Sequence, residues 1–402
     1  MRILISGASI SGPVLAYWLI RHGFDVTVVE RAPALRKTGG HAIDLFRPAM
    51  DITEKMGVLD RVTELATSNT RMTIHRLPSG RSADVDLTKL FSATSSRHAE
   101  IMRDDLSEIY YDATRNDVEY LFDDSITTIS PDGDVTFEHS IPRRFDVVVG
   151  ADGLHSNVRR LVFGDEAALS SYIGAYLAVV SVPKSLATEG RNIVYASAGQ
   201  LSGIYTVPHL SDARALFMFK RAQPLEYHHR DVERQKGFLE TEFRGLAPEV
   251  DSWLDELGVT PSFYFDSVTQ LRMDSWSRNR VTLVGDAGYC PGPAVGGSTT
   301  LAVVGAYTLA GELARAGGDH ARAFAAYEQA MATPVRDSRA FARRAAKTLV
   351  PDSRAGVWAL AAGAQAFTRL PGWLGRAIAN ANPAGLRVYD SMPVAEYSTS
   401  VR

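Results

Sequence analysis

The chain of 402 residues carries 43 basic and 46 acidic side chains, a formal net charge of -3, and one cysteine. This length exceeds what one compact core usually holds and predicts two domains with a helical appendage. The charge balance excludes the clustered basic surface of a nucleic-acid-binding protein. A single cysteine excludes an intrachain disulfide and is typical of a reducing compartment, so we expect a cytoplasmic protein.

Two uncharged stretches are candidates for membrane segments. Residues 287–311 contain two prolines and several glycines, which predict a loop and then a short helix. Residues 356–368 are shorter than the ~18 apolar residues of a spanning helix. We therefore expect both to be buried amphipathic helices, with no stable membrane insertion, and the start of the chain lacks a signal-peptide pattern.

The first thirty residues predict a strand, a glycine turn, a helix and a second strand. RILIS (2–6) is apolar, GASISG (7–12) is rich in small residues, and FDVTVVE (24–30) ends at Glu30. This context and an acid eighteen residues after Gly12 are what a dinucleotide-binding G-x-G-x-x-G loop requires. Because Ser9 replaces the middle glycine, a purely structural turn is the alternative.

Each residue of the loop has a physical role in such a site. Gly7 permits the tight turn, and Gly12 lets the helix pack closely on the strand. The amides at the helix start, from Ile10 and Ser11 onward, offer a partial positive charge to a pyrophosphate. Ser9 adds only a Cβ and a hydroxyl, which can turn toward a phosphate oxygen.

The rest of the chain predicts an α/β fold with a β-rich insertion. FDVVVGADG (145–153) and RVTLVGDAG (280–288) predict buried strands that run into turns. Residues 166–269 are mainly β-rich but include a charged helical stretch at 231–257. The chain is then mostly helical to residue 349, and a last helical segment is expected at 354–380.

Three separated motifs now stand in one chain: GASISG with Glu30, DVVVGADGLHSNVR (146–159) and GDAGYCPGPAVGG (285–297). With them the sequence resembles the single-component FAD-dependent aromatic hydroxylases of the para-hydroxybenzoate hydroxylase type, over nearly its whole length. Within that family it is most similar to actinobacterial polyketide- and antibiotic-modifying members, including tetracycline-inactivating ones.

The resemblance implies a Rossmann-like FAD-binding domain interrupted by a mainly β substrate domain. We assign residues 1–72, 97–165 and 270–315 to the FAD-binding domain, 73–96 and 166–269 to the substrate-binding sheet domain, and 316–402 to a C-terminal helical region. The resemblance leaves a monomer and a homodimer equally open.

The resemblance also implies the residues that bind the cofactors. They are Gly7, Ser9, Ile10, Ser11 and Gly12 at the pyrophosphate, Glu30 and Arg31 at the adenosine end, Asp44 near the flavin, Arg103 at a helix start, Asp152 toward the pyrophosphates of FAD and NADPH, Arg36 toward NADPH, Asp286 at the ribityl chain, and Gly296 and Gly297 near the isoalloxazine. One departure stands out, because the family usually has Ala-Ala-His where this chain has Ala287-Gly288-Tyr289. We expect a reshaped loop there and assign no role to Tyr289.

The activity implied by the resemblance is monooxygenation. NADPH or NADH reduces FAD, O2 adds at flavin C4a, and the hydroperoxide delivers one oxygen atom to an aromatic or polyketide-like small molecule. This chemistry needs no metal, and the histidines lack metal-ligand spacing. Cys290 is expected to be a packing residue and not a redox thiol. Epoxidation, Baeyer-Villiger oxidation or reduction of a natural product by the same fold is the alternative.

Aromatic side chains of the sheet domain are candidates for a substrate pocket, although aromatics that alternate along a strand are more often core residues. The candidates are Tyr195, Tyr205, Phe217 and Phe219, with Pro293 from the glycine-rich loop. His209 or Arg214 is a weaker candidate for a phenolate contact, since a solvated loop explains both.

Three other functions are weighed against these motifs. A nicotinamide dehydrogenase that uses only GASISG leaves the GADG and GDAG segments unexplained. A halogenase of the same fold lacks its Trp-x-Trp motif here, because the five tryptophans lie far apart. A non-catalytic binding protein would show no substrate-stimulated NADPH oxidation.

Overall fold

A computed structural model describes residues 1–35, 40–228, 231–292, 297–381 and 387–398. Its strands, in chain order, are β1 (Arg2–Ser6), β2 (Asp25–Glu30), β3 (Ala42–Phe46), β4 (Arg71–Arg76), β5 (Arg81–Asp86), β6 (His98–Met102), β7 (Glu119–Phe122), β8 (Ile126–Ile129), β9 (Asp134–Phe137), β10 (Arg143–Arg144), β11 (Val147–Gly150), β12 (Ser170–Pro183), β13 (Arg191–Ser197), β14 (Gln200–Thr206), β15 (Asp212–Lys220), β16 (Phe263–Leu271), β17 (Ser277–Arg278) and β18 (Val281–Leu283).

The α-helices are α1 (Ser11–Arg21), α2 (Arg47–Lys55), α3 (Leu59–Glu64), α4 (Leu87–Thr94), α5 (Arg103–Asp112), α6 (Asn157–Phe163), α7 (Glu166–Leu169), α8 (Val232–Phe243), α9 (Pro248–Asp255), α10 (Asp286–Tyr289), α11 (Ser298–Arg315), α12 (His320–Leu349), α13 (Arg354–Arg369) and α14 (Gly372–Ala381). Single 3-10 turns occur at Lys184–Leu186 and Glu256–Gly258.

The first layer is a six-stranded sheet in the order β17-β18-β11-β1-β2-β7. Its pairings are parallel except for the short antiparallel edge between β17 and β18. Helices cover the central strands on both faces, which explains why Ile3, Leu4 and Ile5 are consecutive apolar residues and all fully buried. The mixed α/β fold predicted from the sequence is confirmed.

The second layer is a seven-stranded sheet in the order β16-β12-β15-β14-β13-β4-β5. Strands β4 and β5 arrive from residues 71–86, far earlier in the chain, and β4 joins β13 in parallel. Helices α8 and α9 pack on one face of this sheet over a core that includes Phe243 and Trp253. The predicted helical stretch at 231–257 is thus two α-helices, because the chain turns before Pro248, which starts the second.

A two-stranded ribbon of β3 and β6 lies between the two sheets. The Ala42 amide at its start donates a 2.9 Å hydrogen bond to the Tyr205 hydroxyl on β14. At its end the Phe46 amide donates to Thr300 Oγ1 on α11 at 3.0 Å. The ribbon therefore couples the seven-stranded sheet to the helices of the first layer.

The C-terminal residues are distributed over both layers. Helix α12 packs on α11, while α13 packs on β4 and β5. The last described segment returns to the first layer, where Lys55 Nζ pairs with Glu396 at 2.7 Å. The predicted helix at 354–380 is interrupted at Leu370-Pro371, because a residue before proline disfavours helical geometry.

Helix α13 differs from the prediction that residues 356–368 form a buried helix. Only one side is buried, through Val357, Ala361 and Thr368, whereas Trp358 on the other side is 60% exposed. Across the described residues, every helix is too short or too polar to cross a lipid bilayer.

Tyr289, which stands where the family usually has histidine, is a core residue in this protein. Its ring is fully buried and its hydroxyl accepts a 3.0 Å hydrogen bond from the Tyr327 hydroxyl on α12. The same oxygen lies where a Cβ at Gly305 on α11 would be, so the tyrosine requires a glycine opposite it. The departure from the family motif is therefore explained by packing of α10 against α11 and α12.

We expect Gly305→Ala to destabilise the protein by about 1–3 kcal/mol, because the added methyl overlaps the Tyr289 hydroxyl. In the Tyr289→Phe background the same substitution should cost much less, because the overlapping oxygen is gone. The measurement is a double-mutant cycle of urea unfolding.

Gly237→Ala on α8 is the matched control, since a Cβ there meets no neighbour. It should be neutral or slightly stabilising through helix propensity. Equal costs of Gly305→Ala in the two backgrounds would contradict this contact.

Candidate functional site

The three sequence motifs meet at one edge of the six-stranded sheet. Strands β1, β11 and β18 are neighbours and parallel, so the loops after Ser6, Gly150 and Leu283 leave from the same end. The carboxyl ends of parallel strands are where open α/β sheets bind ligands. The order of strands thus unites residues about 140 positions apart in sequence, as the pairing of Ile3 with Val147 illustrates.

The loops approach each other so closely that side chains are excluded between them. Gly7 has a φ of +111°, and a Cβ there would lie 2.5 Å from the Ala151 carbonyl oxygen. A Cβ at Gly12 would overlap the Gly7 carbonyl oxygen. Gly285, with a φ of +65°, lies against the Ser11 side chain. Glycine is required at these positions because the first and second loops touch through their backbones at Gly7, the first loop closes on itself at Gly12, and the third loop meets the Ser11 side chain at Gly285 in a positive-φ conformation.

The first loop is held by a carboxylate and a hydroxyl from other elements. Glu30 accepts hydrogen bonds from the Ala8 and Ala32 amides, each at 2.9 Å. Ser107 on α5 donates to the Ser9 carbonyl at 3.1 Å. The loop shape is thus fixed by the protein itself, and Glu30 lies beside it as its spacing in the sequence predicts.

Arg103 brings a positive charge to the same loop. Its guanidinium Nη2 donates to the Ser9 hydroxyl at 3.2 Å. Helix α1 starts at Ser11 and no side chain caps its first amides. A cation next to an uncapped helix N-terminus suits an anionic group such as a pyrophosphate.

Asp152, predicted to face cofactor pyrophosphates, is bonded within its own loop. Its carboxylate accepts from the Ser156 hydroxyl and, at 3.1 Å, from the Val158 amide. Burial raises its pKa, and these hydrogen bonds oppose that shift. The carboxylate therefore stabilises the start of α6, and a contact with a nucleotide remains a prediction.

Asp286, the first residue of α10, shares its surroundings with Arg103. Burial raises the pKa of Asp286, and the nearby Arg103 guanidinium lowers it in part. The Arg103 amide also donates to the His41 carbonyl at 3.1 Å. Burial, with Arg103 adding to it, lowers the pKa of His41 to about 4, so this imidazole is neutral at pH 7. A carboxylate, a cation and a neutral imidazole thus converge between the two layers.

Tyr264 on β16 faces this group from the seven-stranded sheet. Its ring centroid lies 5.4 Å from that of His41. Burial raises its pKa well above the usual value, so the phenol is neutral and presents an O–H donor. Tyr264 was not among the candidates from the sequence. It lies on the opposite face of β16 from Phe263 and Phe265.

Asp44 lies on the ribbon beside a second buried acid. Its Oδ1 is 2.8 Å from His98 Nε2, and Glu100 is its direct cross-strand neighbour. Burial and the Asp44 charge raise the pKa of Glu100 to about 7. The ribbon thus places the Glu100 carboxyl, which is partly protonated near neutrality, beside the pair of Asp44 and His98.

The glycine-rich third motif has a further packing requirement. Gly297 begins α11 with a φ of +81°, and the Tyr389 ring fills the space of a Cβ there. Arg36, Pro293 and Gly296 lie outside the described residues, and Arg31 is exposed at the end of β2. The placement of Gly297 near an isoalloxazine remains a prediction.

The structure divides the aromatic substrate candidates between the two faces of the seven-stranded sheet. Tyr195, Phe217 and Phe219 belong to the core under α8 and α9, on the face turned away from Tyr264. These three candidates for a substrate pocket are therefore core residues, which is the more common outcome for aromatics that alternate along a strand, because strand alternation points them away from Tyr264.

Tyr205 and the polar candidates occupy other positions. Tyr205 lies on the inner face, where its hydroxyl holds the ribbon through Ala42. Arg214 is only 6% exposed and pairs with Asp212 at 2.6 Å, so the solvated-loop interpretation is wrong for it. His209 pairs with Asp105 at 2.8 Å.

Besides Tyr264, the sequence analysis missed Ser107 and His41, for different reasons. Ser107 follows Arg103 by one helical turn, so the i, i+4 spacing offered a usable signal. His41 follows two glycines in a segment with no periodicity, and its position depends on the ribbon.

Cys290, which we expected to be a packing residue, is buried, with its Sγ 3.8 Å from the Thr269 carbonyl oxygen.

Comparison with known proteins agrees with this geometry. A family model described as FAD binding domain matches residues 1–337. A protein of Mycobacterium tuberculosis, uncharacterized protein Rv1260, is 44% identical over 342 residues, covering 81% of this chain and 88% of the relative. A flavin-dependent monooxygenase of Legionella longbeachae is 37% identical over 330 residues, covering 81% of this chain and 84% of the relative.

A solved structure is similar over almost the whole fold. The crystal structure of tetracycline destructase Tet(55) superposes with a TM-score of 0.83 at 32% identity, covering 98% of both chains. The chain belongs to the FAD-binding-domain family of flavin-dependent monooxygenases, which confirms the resemblance inferred from the three motifs.

We expect Ser9→Gly to retain FAD with little change, whereas Ser9→Val should weaken FAD binding by about tenfold or more. The branched side chain removes the oxygen bonded to Arg103 and crowds the uncapped amides of α1. The measurement is FAD dissociation followed by flavin fluorescence.

Thermal unfolding of the two apoproteins is the control for general damage. If Ser9→Val bound FAD as tightly as the parent protein, with normal stability, the loop would be only a βα turn.

The histidine of the second motif predicts a pH-dependent stability. His155 Nε2 lies 3.3 Å from Asp266 on β16, and Nδ1 lies 3.1 Å from Glu166. Hydrogen bonds to Asp266 and then Glu166 raise its pKa to about 10. Because this pKa is raised, the stabilisation is complete below the unfolded-state value of ~6.5 and is lost as pH rises through 10.

His155→Gln should therefore lower the melting temperature most at pH 6, and the deficit relative to the parent protein should shrink steadily toward pH 10. Melting curves of both proteins across this range test it. A deficit that stays constant with pH would exclude the ion pairs as its cause.

Proposed function

We propose that this protein is an NAD(P)H-dependent FAD monooxygenase that inserts one oxygen atom of O2 into an aromatic or polyketide-like small molecule. The observation that carries the proposal is the junction of three glycine loops at one sheet edge, with Arg103 and Asp286 beside it. The flavin-dependent monooxygenase relatives and the tetracycline destructase fold support the same activity.

The residues at the junction fit an FAD. The uncapped amides of α1 and the Arg103 guanidinium suit the pyrophosphate, and the Glu30 carboxylate at the end of β2 suits the ribose hydroxyls. Asp286 is an acceptor for the hydroxyls of the ribityl chain. Glu30, the start of α1 with Arg103, and Asp286 thus suit the adenosine ribose, the pyrophosphate and the ribityl chain, which follow one another in this order in FAD.

When bound and reduced by NADPH or NADH, FAD supplies the electrons and the activated oxygen of the reaction. The protein's part is to position the substrate and exclude water. The neutral state of His41 serves this part, because a neutral imidazole donates or accepts a hydrogen bond without adding charge beside Arg103.

We assign the substrate wall to the inner face of the seven-stranded sheet. On this face Leu216 and Tyr264 are only partly buried, and they lie beside a packed core of Val179, Met218 and Val350, the residue that follows α12. An apolar wall with one phenol donor suits a flat, hydrophobic ring system that carries oxygen substituents.

The proposal predicts oxygen-dependent NADPH consumption that an aromatic polyketide stimulates, with a product heavier by one oxygen atom. Turnover under labelled oxygen gas, followed by mass spectrometry, should place the label in the product. Product structure by NMR distinguishes hydroxylation from epoxidation and Baeyer-Villiger oxidation.

Two variants distinguish the role of the inner face of the seven-stranded sheet in substrate binding from the role of its outer face in stability. Tyr264→Leu should reduce substrate-stimulated NADPH oxidation at least about tenfold with FAD content unchanged, because the phenol donor is lost. Phe219→Leu should instead lower thermal stability, because it lies in the outer core. A holoprotein that consumes no NADPH with any aromatic polyketide, or that incorporates no labelled oxygen, contradicts the proposal.

A further inference from the structure

Helix α13 turns an uncharged stripe to solvent. Its buried side rests on β4 and β5, and the positions half a turn away are small or aromatic. The exposed residues of this stripe are Ala355, Trp358, Ala359, Gly363 and Ala366. An ordinary surface helix places polar residues there, so the usual amphipathic arrangement is missing on this side.

Helix α14 carries two further exposed apolar side chains. Trp373 is 66% exposed and Ile378 is 43% exposed. The other three tryptophans of the chain, Trp18, Trp253 and Trp276, are all buried. Both exposed tryptophans of the protein therefore lie on two consecutive helices, and these helices meet where Gly375 of α14 lies beside the Phe367 ring of α13.

The charge of this segment is opposite to that of the whole chain. Residues 353–389, between Asp352 and Asp390, contain four arginines and no acidic residue, whereas the chain carries a net charge of -3. Arg387 pairs with Asp390, so Arg354, Arg369 and Arg376 supply the exposed positive charge of the segment. Arg369 and Arg376 are exposed at the end of α13 and in α14, and Lys89 is exposed on α4, on which α14 packs. We refer to the stripe with Trp373, Ile378, Arg369, Arg376 and Lys89 as the C-terminal patch.

The positive charge of the C-terminal patch favours an anionic partner over a second copy of the same chain. A second copy in a two-fold contact would bring arginine against arginine, with no acid in the segment to pair them. A partner surface that is both anionic and apolar can bind the basic and the apolar side chains of the patch at the same time. Tryptophan is favoured at the headgroup level of a bilayer, and each basic residue near an anionic leaflet adds to binding.

We propose that the C-terminal patch docks the protein peripherally on membranes that contain anionic phospholipids. Trp358 and Trp373 insert at the headgroup level, and Arg369 and Arg376 contact the phosphates. Two signals act together, apolar insertion and basic attraction, which is the combination that stable but reversible surface binding requires.

The test is flotation of the FAD-loaded, full-length protein with lipid vesicles. One set contains phosphatidylcholine and phosphatidylglycerol, and the other contains phosphatidylcholine alone. The parent protein should float with the anionic vesicles, much less with the neutral ones, and binding should weaken as salt rises.

Two double variants separate the contribution of the tryptophans to membrane binding from that of the arginines. Trp358→Ser with Trp373→Ser, and Arg369→Gln with Arg376→Gln, should each reduce the bound fraction by about tenfold. The matched control is Ile141→Ser with Arg144→Gln, which removes an exposed apolar residue and an exposed arginine near the three-stranded sheet of β8 to β10. It should bind as the parent does, and FAD content and melting temperature confirm that each variant is folded.

The proposal is overturned if the parent protein does not float with anionic vesicles at low salt, or if the patch variants bind as well as the control. It is also overturned if light scattering shows a concentration-dependent dimer that the tryptophan variant abolishes, because a second copy would then cover the patch. None of these outcomes bears on the monooxygenase reaction, which NADPH consumption tests separately.

Discussion

The close approach of three loops is the constraint on which the rest of this structure depends. Gly7 lies against the Ala151 carbonyl, Gly12 against Gly7 itself, and Gly285 against Ser11. This close approach brings the uncapped start of α1 and Asp286 to the same edge of the sheet. Segments from the beginning, middle and later part of the chain thus form one site, and the parallel order β18-β11-β1 is what aligns them.

Arg103 connects this junction to the rest of the site. Its side chain contacts Ser9, its amide donates to the His41 carbonyl, and its charge partly offsets the rise that burial causes in the pKa of Asp286. The ribbon of β3 and β6 then carries the arrangement to the seven-stranded sheet through Tyr205. The electrostatics of the site are therefore set at the boundary between layers, where burial leaves His41 neutral and Arg103 remains the local cation.

Much of this architecture could be predicted from local patterns, and the remainder depends on tertiary packing. The βαβ unit and the buried strands before Gly150 and Gly285 have short-range signals in apolar runs and glycines. No short-range signal in the sequence shows which face of a strand is turned toward the first layer. For this reason Phe217 and Phe219 were candidates for a substrate pocket, whereas they lie in the core under α8 and α9. Tyr264 occupies the inner face because β16 pairs with β12 in one register, and a shift of one residue would exchange the faces. Likewise, Tyr289 in place of histidine is intelligible only beside Gly305 and Tyr327, which lie on later helices.

The central claim is that FAD is held where the three loops meet, and the most direct test is the FAD affinity of Asp286→Asn. This substitution keeps the shape of the side chain but removes the charge that strengthens hydrogen bonds to the ribityl hydroxyls. The measurement is a fluorescence titration of the apoprotein with FAD, with Asp152→Asn for comparison and melting temperature as the control. We expect the dissociation constant for FAD to rise about tenfold or more, because a hydrogen bond to a charged group contributes ~1.5–3 kcal/mol. An unchanged dissociation constant in a normally folded Asp286→Asn protein would contradict the account.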